Sequence, residues 1–196
     1  MTKDDKKESI IEAAEKRFNH FGVGKTTMNE IADDLSISKA SLYYYFPDKL
    51  NLYAAVLQKI IESEQINKEV LLQKDPYTAL SAYLDYRTQF IIKHYNILEY
   101  LKSVGTGLPK ELEDVFNGAR NHELKNITTI IKHGVESKKL KVQDPKKVAE
   151  LLLDCLDGLR LSVLSGRGNF FPDKKQFQDL SKREKELAAI FIRGLS

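Results

Sequence analysis

Residues 38–46 read SKASLYYYF. Lys39, Ser41 and Tyr44, with Tyr43 beside them, bring an ammonium, a hydroxyl and phenols to one short stretch. Such groups suit recognition better than bond-making. A lysine donates to guanine O6 and N7 in the major groove of duplex DNA, and a serine pairs with several bases. Catalytic patterns do not accompany these residues. His20, His94, His122 and His133 show neither HExxH nor His/Cys metal spacing, and no GxSxG elbow occurs. Cys155 stands in an apolar helical pattern and reads as a core residue rather than a nucleophile. Gly24-Lys25-Thr26 looks like the end of a phosphate loop. Asn19, however, occupies the place of that motif's first glycine, and a helix rather than a strand precedes it. No enzymatic activity, cofactor or metal is expected.

Two short helices must present the recognition residues. Thr27-Met-Asn-Glu30 is a capping box, in which the threonine hydroxyl accepts from the Glu30 amide and the glutamate reaches back. Met28, Ile31, Ala32 and Leu35 then share one helical face. Leu35-Ser36-Ile37 is a tight break, and Ser38 caps the second helix. Leu42 and Phe46, four apart, turn to the same core and leave Lys39, Ser41, Tyr44 and at least one more tyrosine outside. Tyr45 either packs or contacts the partner. In such a pair the N-terminal residues of the second helix meet base edges, while the first helix crosses the backbone.

The run Thr26-Thr27 … Ile31-Ala32 … Leu35-Ser36-Ile37-Ser38-Lys39-Ala40-Ser41-Leu42-Tyr43-Tyr44-Tyr45-Phe46 … Asp48-Lys49 resembles the helix-turn-helix of the TetR family of bacterial transcriptional regulators. The resemblance implies a DNA-contacting set of Thr26, Thr27, Ser38, Lys39, Ala40, Ser41, Tyr43, Tyr44 and Lys49. Lys39, Ser41 and Tyr44 would approach base edges. The Tyr43 hydroxyl, Thr26, the capped start at Thr27 and Lys49 would hold phosphates, which position without specifying. It further implies a cytoplasmic homodimeric repressor on double-stranded operator DNA, released by a small-molecule effector. The effector pocket would lie in the second part of the chain. Polar candidates there are Tyr83, Tyr86, Tyr95, Asn117, Asn121, His122, Asp154 and Arg160, with Asp154 and Arg160 also able to pair within a helix or between subunits. The competing readings are an all-helical ligand- or partner-binding protein that does not bind DNA, and a regulator that acts as an activator.

Charge does not announce nucleic-acid binding. The net charge is +3, and the first 49 residues carry eight Lys and Arg against nine Asp and Glu. Placement matters more: Lys25, Lys39 and Lys49 are expected to flank the contact surface, with few phosphates neutralised per subunit and a moderate salt dependence. At 42% hydrophobic and 30% charged residues, the composition is that of a soluble globular protein. A single cysteine rules out an internal disulfide framework. The charged start MTKDDKKESI is not a secretory signal, and no apolar run is long enough to span a bilayer.

The pattern predicts an all-α fold of about nine helices, with a DNA-binding domain over residues 1–48 and an effector and dimerisation domain over 49–196. A first helix over 5–21 buries Ile10, Ala14, Phe18 and Phe21 and ends at Gly22 and Gly24. Asp48 caps a helix running to about Lys74; further helices cover 76–94, 95–104 and about 110–137, the last kinked near Gly118. Gly105, Gly107 and Pro109 make one loop, and 167–172 another. The helix from Pro145 carries Val148, Leu151, Leu152, Cys155, Leu156, Leu159, Val163 and Leu164, more than one face can hold. The last, over 173–194, carries Phe177, Leu180, Leu187, Ala188, Phe191 and Leu195, with Ile190 beside them. This surplus of apolar surface suits a bundle between two copies.

Overall fold

The computed structural model describes residues 3–63, 66–103, 109–165 and 174–196. Among them are ten α-helices, one 3-10 segment and no strand. No helix of the described residues is long and apolar enough to cross a membrane. The chain divides into two compact units, Met1–Glu64 with His94–Asn117, and Gln65–Lys93 with Gly118–Ser196.

The first unit holds α1 (Lys3–Phe21), α2 (Met28–Asp34), α3 (Lys39–Tyr45), α4 (Lys49–Ser63), α7 (Tyr95–Leu98), the 3-10 segment Glu99–Ser103 and the start of α8 (Lys110–Glu136). Ile10, Ala14 and Phe18 of α1 pack with Ile31, Leu42, Leu52, Val56, Leu57 and Ile60. Each of the buried Ile, Leu, Val and Phe side chains among them contributes about 1.5–3 kcal/mol of transfer free energy. Compact packing therefore groups α4 with α1–α3, one helix beyond the boundary expected at residue 48. Tyr53 of α4 is wholly buried, and its hydroxyl donates to the Ile97 carbonyl at 2.9 Å. Burial pushes that phenol well above its usual pKa.

Helix α1 ends at Gly22, whose φ of +82° is the left-handed conformation that glycine adopts without strain. Gly24 does not share that role, since its φ is not left-handed. Phe21, expected inside, is 53% exposed. The chain turns at Gly22, and Val23 takes the inward place instead. Phe21 stacks edge-on with His20 and under the Arg17 guanidinium.

The helix expected to reach Lys74 stops at Ser63. Asn67 starts a separate short helix, α5 (Lys68–Leu71), by accepting from the Glu69 amide at 3.0 Å. Ile66 and Leu71 turn into the second unit's core. That unit also holds α6 (Pro76–Lys93), the rest of α8, α9 (Pro145–Ser165) and α10 (Lys174–Gly194). Asp75 caps α6 by accepting from the Thr78 amide, and Asp144 caps α9 by accepting from the amides of Lys146 and Lys147. Helix α8 runs unbroken through Gly118. Leu80, Leu84, Ile127, Ile131, Leu152, Leu153, Leu156, Ala188 and Ile192 fill the core. Gly134 is required there, because a Cβ would stand 2.6 Å from Leu140 Cδ1 and 2.9 Å from Pro76 Cγ.

Several apolar residues of the last two helices face outward. Cys155, expected in the core, is exposed, as are Leu151, Leu161 and Ile190. The inward face of α9 is Ala149, Leu152, Leu153, Leu156 and Arg160, and Cys155 falls on the opposite side. Gly105, Gly107, the loop over 167–172 and the side chains of Val163 and Leu164 lie outside the described residues.

Candidate nucleic-acid interface

Local hydrogen bonds build the helix pair. The Glu30 amide donates to Thr27 Oγ1 at 3.3 Å, and the Thr27 amide donates back to Glu30 Oε2 at 2.7 Å. Across the turn, Ser36 adopts φ +51° and the Ile37 amide donates to the Ala32 carbonyl at 3.0 Å. Ser38 Oγ then accepts from the Ser41 amide at 3.1 Å and opens α3. Leu42 and Phe46 are buried, which fixes the outward face of α3. Lys39, Ala40, Tyr43 and Tyr44 are exposed on it and Ser41 is half-buried. Tyr44 is 70% exposed. Tyr45 is half-buried against the core, and its ring meets that of Tyr44 edge-on at 5.2 Å. Lys39 Nζ lies 5.8 Å from the centre of the Tyr43 ring.

Arg17 locks α2 onto α1. Its guanidinium binds both oxygens of Asp34 and reaches Glu30 Oε1 at 3.5 Å. The Arg17 hydrogen bonds hold the Asp34 carboxyl below the usual carboxylate range. The Thr27 amide and hydroxyl, donating to Glu30, do the same for its carboxyl.

Two residues of the expected DNA-contacting set face inward instead. Thr26 is buried, and its hydroxyl donates to the Gly22 carbonyl at 3.0 Å. The Lys49 ammonium donates to the carbonyls of Val23 and Thr26 at 3.0 and 3.1 Å and to that of Gly24 at 3.5 Å, which engages all three of its protons. It lies 5.7 Å from the centre of the Tyr100 ring. Lys49 thus clamps the α1–α2 loop from the start of α4. Lys49→Met keeps the stem and leaves part-buried carbonyls without a donor. It is expected to lower stability in urea unfolding by about 1–3 kcal/mol. The salt dependence of operator binding should stay unchanged, whereas loss of a phosphate contact would reduce it.

The expected effector residues divide between the two units. Tyr95 and Asn117 belong to the first unit; Tyr83, Tyr86, Asn121, His122 and Asp154 belong to the second. Asn117, Asn121 and His122 are exposed on α8. Asp154 is exposed and pairs with Arg120 at 2.7 Å, not with Arg160. Of the set Tyr83 and Arg160 are buried, and burial pushes the Tyr83 hydroxyl pKa far up.

The second unit contains a charged cluster of which sequence reasoning named only Arg160 and missed its partners. Arg160 Nε of α9 donates to Glu184 Oε1 of α10 at 2.7 Å, and its Nη2 donates to Glu123 Oε1 of α8 at 2.7 Å. Arg87 of α6 joins them, 3.2 Å from Glu123 and 3.5 Å from Glu184. The available signal was position: Arg160 follows Leu153 and Leu156 by seven and four residues, and Glu184 sits four from both Leu180 and Ala188. Both charges stand in apolar stripes.

A family profile described as "Bacterial regulatory proteins, tetR family" matches residues 10–56. The chain is 32% identical to a transcriptional regulator of Cytophaga hutchinsonii ATCC 33406 whose crystal structure is solved. That match covers 96% of this chain and 97% of the other, with a TM-score of 0.75. It is 27% identical over 157 residues to the HTH-type transcriptional regulator YhgD of Bacillus subtilis (strain 168), which is 76% of this chain and 79% of that protein. The HTH-type transcriptional regulator RutR of Escherichia coli (strain K12) is 44% identical over 57 residues, 29% of this chain and 27% of RutR.

Proposed function

This chain belongs to the TetR family of bacterial regulatory proteins and is a DNA-binding transcriptional regulator; from that premise we propose that it is a cytoplasmic homodimeric repressor, released from its operator by a small molecule. The observation that carries the reading is the outward face of α3. An exposed ammonium and two exposed phenols at a capped helix have no folding role to explain them. In this reading Lys39, Ser41 and Tyr44 read base edges, Ala40 admits close approach, and Thr27, Ser38 and Tyr43 hold the flanking phosphates. Dimerisation uses the outward faces of α9 and α10, where Leu151, Leu161 and Ile190 would otherwise remain in water. Two recognition helices then meet half-sites about 34–36 Å apart. An effector must favour the released arrangement, since equal affinity for both arrangements shifts nothing.

Selection of bound duplexes from a random pool tests the reading. The purified protein at physiological salt should enrich a two-fold-symmetric site, bound at least about 10³-fold more tightly than random DNA. No enrichment, with mass spectrometry of the denatured sample finding no co-purified small molecule, would favour an interaction protein instead.

A further inference from the structure

The first turns of α1 lie beside the recognition helix. Lys3 Nζ stands 5.2 Å from the centre of the Tyr44 ring, and Lys7 Nζ stands 5.9 Å from that of Phe46. The two lysines are four apart and share one face of α1. Acids of the same helix turn elsewhere. Glu8 and Glu12, also four apart, pair with Lys59 of α4 at 2.6 and 3.3 Å. Glu30 and Asp34 of α2 are taken by Arg17. Helix α1 therefore turns Glu8 and Glu12 toward α4 and Lys3 and Lys7 toward α3. The near-neutral count over the first 49 residues conceals this sorting. Lys3, Lys7 and Lys39 all remain exposed around Tyr43, Tyr44 and Phe46.

Folding does not account for the arrangement. A cation over an exposed aromatic ring adds little to stability, and Tyr44 is the most exposed tyrosine of α3. Its ring is nevertheless held from two sides, by Tyr45 and by the Lys3 ammonium. The hydrogen bond to the Tyr44 hydroxyl shifts the Lys3 pKa upward.

We propose that Lys3 and Lys7 of α1 extend the DNA-contacting surface: both ammonium groups bind operator phosphates beside the groove that α3 enters, and Lys3 also positions the Tyr44 ring. The inference rests on the operator-binding reading above. The α1 lysines supply the electrostatic attraction that neither Lys49, engaged with carbonyls, nor the net charge provides.

The test measures operator affinity of the full chain against salt for the wild type, Lys3→Gln, Lys7→Gln and, as an exposed control in the second unit, Lys68→Gln. Each lost phosphate contact reduces the slope of log K against log salt by about 0.9. Each α1 variant removes two contacts per dimer and should reduce the slope by about 1.8, the double variant by twice that, and Lys68→Gln by none, with melting temperatures unchanged. Lys3→Arg should restore the slope. Lys3→Gln, unlike Lys7→Gln, should also weaken discrimination at whichever base pair responds to Tyr44→Phe. Unchanged slopes in both α1 variants, with the wild type binding its selected site, would overturn the inference. So would a fall in melting temperature as their only effect. Failure of the wild type to select any site is a different result: it removes the operator-binding reading itself.

Discussion

Alanine at Glu184 is expected to destabilise the second unit by about 3–5 kcal/mol, the cost of breaking a buried ion pair from one side. Glu184 is 1% exposed and accepts from Arg160 and Arg87, which come from α9 and α6. Removing it leaves the buried Arg160 guanidinium short of an acceptor. Exposed pairs such as Arg120–Asp154 should cost no more than about 1 kcal/mol. Urea unfolding compares the two losses directly. Removing both charges, as in Arg160→Met with Glu184→Leu, should recover much of the loss, because the desolvated charge goes with its partner. If Glu184→Ala instead unfolds like the wild type, water or another acid replaces the lost acceptor and the cluster is not tightly closed.

The same cluster sets an acid limit. Burial opposes ionisation of Glu123, but the Arg87 and Arg160 guanidinium groups outweigh it and hold its carboxyl below the usual carboxylate range. A depressed folded pKa contributes stability in full above the unfolded value of about 4.3. That contribution is lost as pH falls through the lower folded value. Melting temperature should therefore drop below about pH 4.5, and Glu123→Gln should flatten that drop.

The second large effect is expected at Tyr44. Tyr44→Ala should weaken operator binding by about 1–3 kcal/mol, roughly fivefold to 150-fold, by losing a base-edge contact. Helicity and melting should not change, since the ring is 70% exposed. Tyr45→Ala makes the contrast. Its ring is half-buried against the core, so stability should fall before affinity does. Tyr44→Phe separates the hydroxyl from the ring, because it retains the stacking on Tyr45. Unchanged affinity for Tyr44→Ala across operator variants would remove Tyr44 from the reading set and leave Lys39 and Ser41 to carry discrimination.

What could be read from the sequence was local. The capping box at Thr27 and Glu30, the cap at Ser38, the Asp-Pro starts of α6 and α9 and the glycine end of α1 all involve partners within about four residues, where helix geometry alone brings the groups together. The 3.6-residue period likewise placed Leu42 and Phe46 inward and therefore Tyr44 outward.

Tertiary structure decided what depends on distant partners. Lys49 meets carbonyls 23 to 26 residues back, and Arg160 meets Glu123 37 residues away. No period relates such positions, so an exposed phosphate ligand and a buried clamp look alike in sequence. The surplus apolar face of α9 also left open which side turns inward. Packing into the second unit's core buries Leu152, Leu153 and Leu156 and leaves Cys155 and Leu151 exposed. The recognition helix was thus determined by the chain's own short-range chemistry, while the charges that support it were sorted only when α1, α2, α3 and α4 closed on a common core.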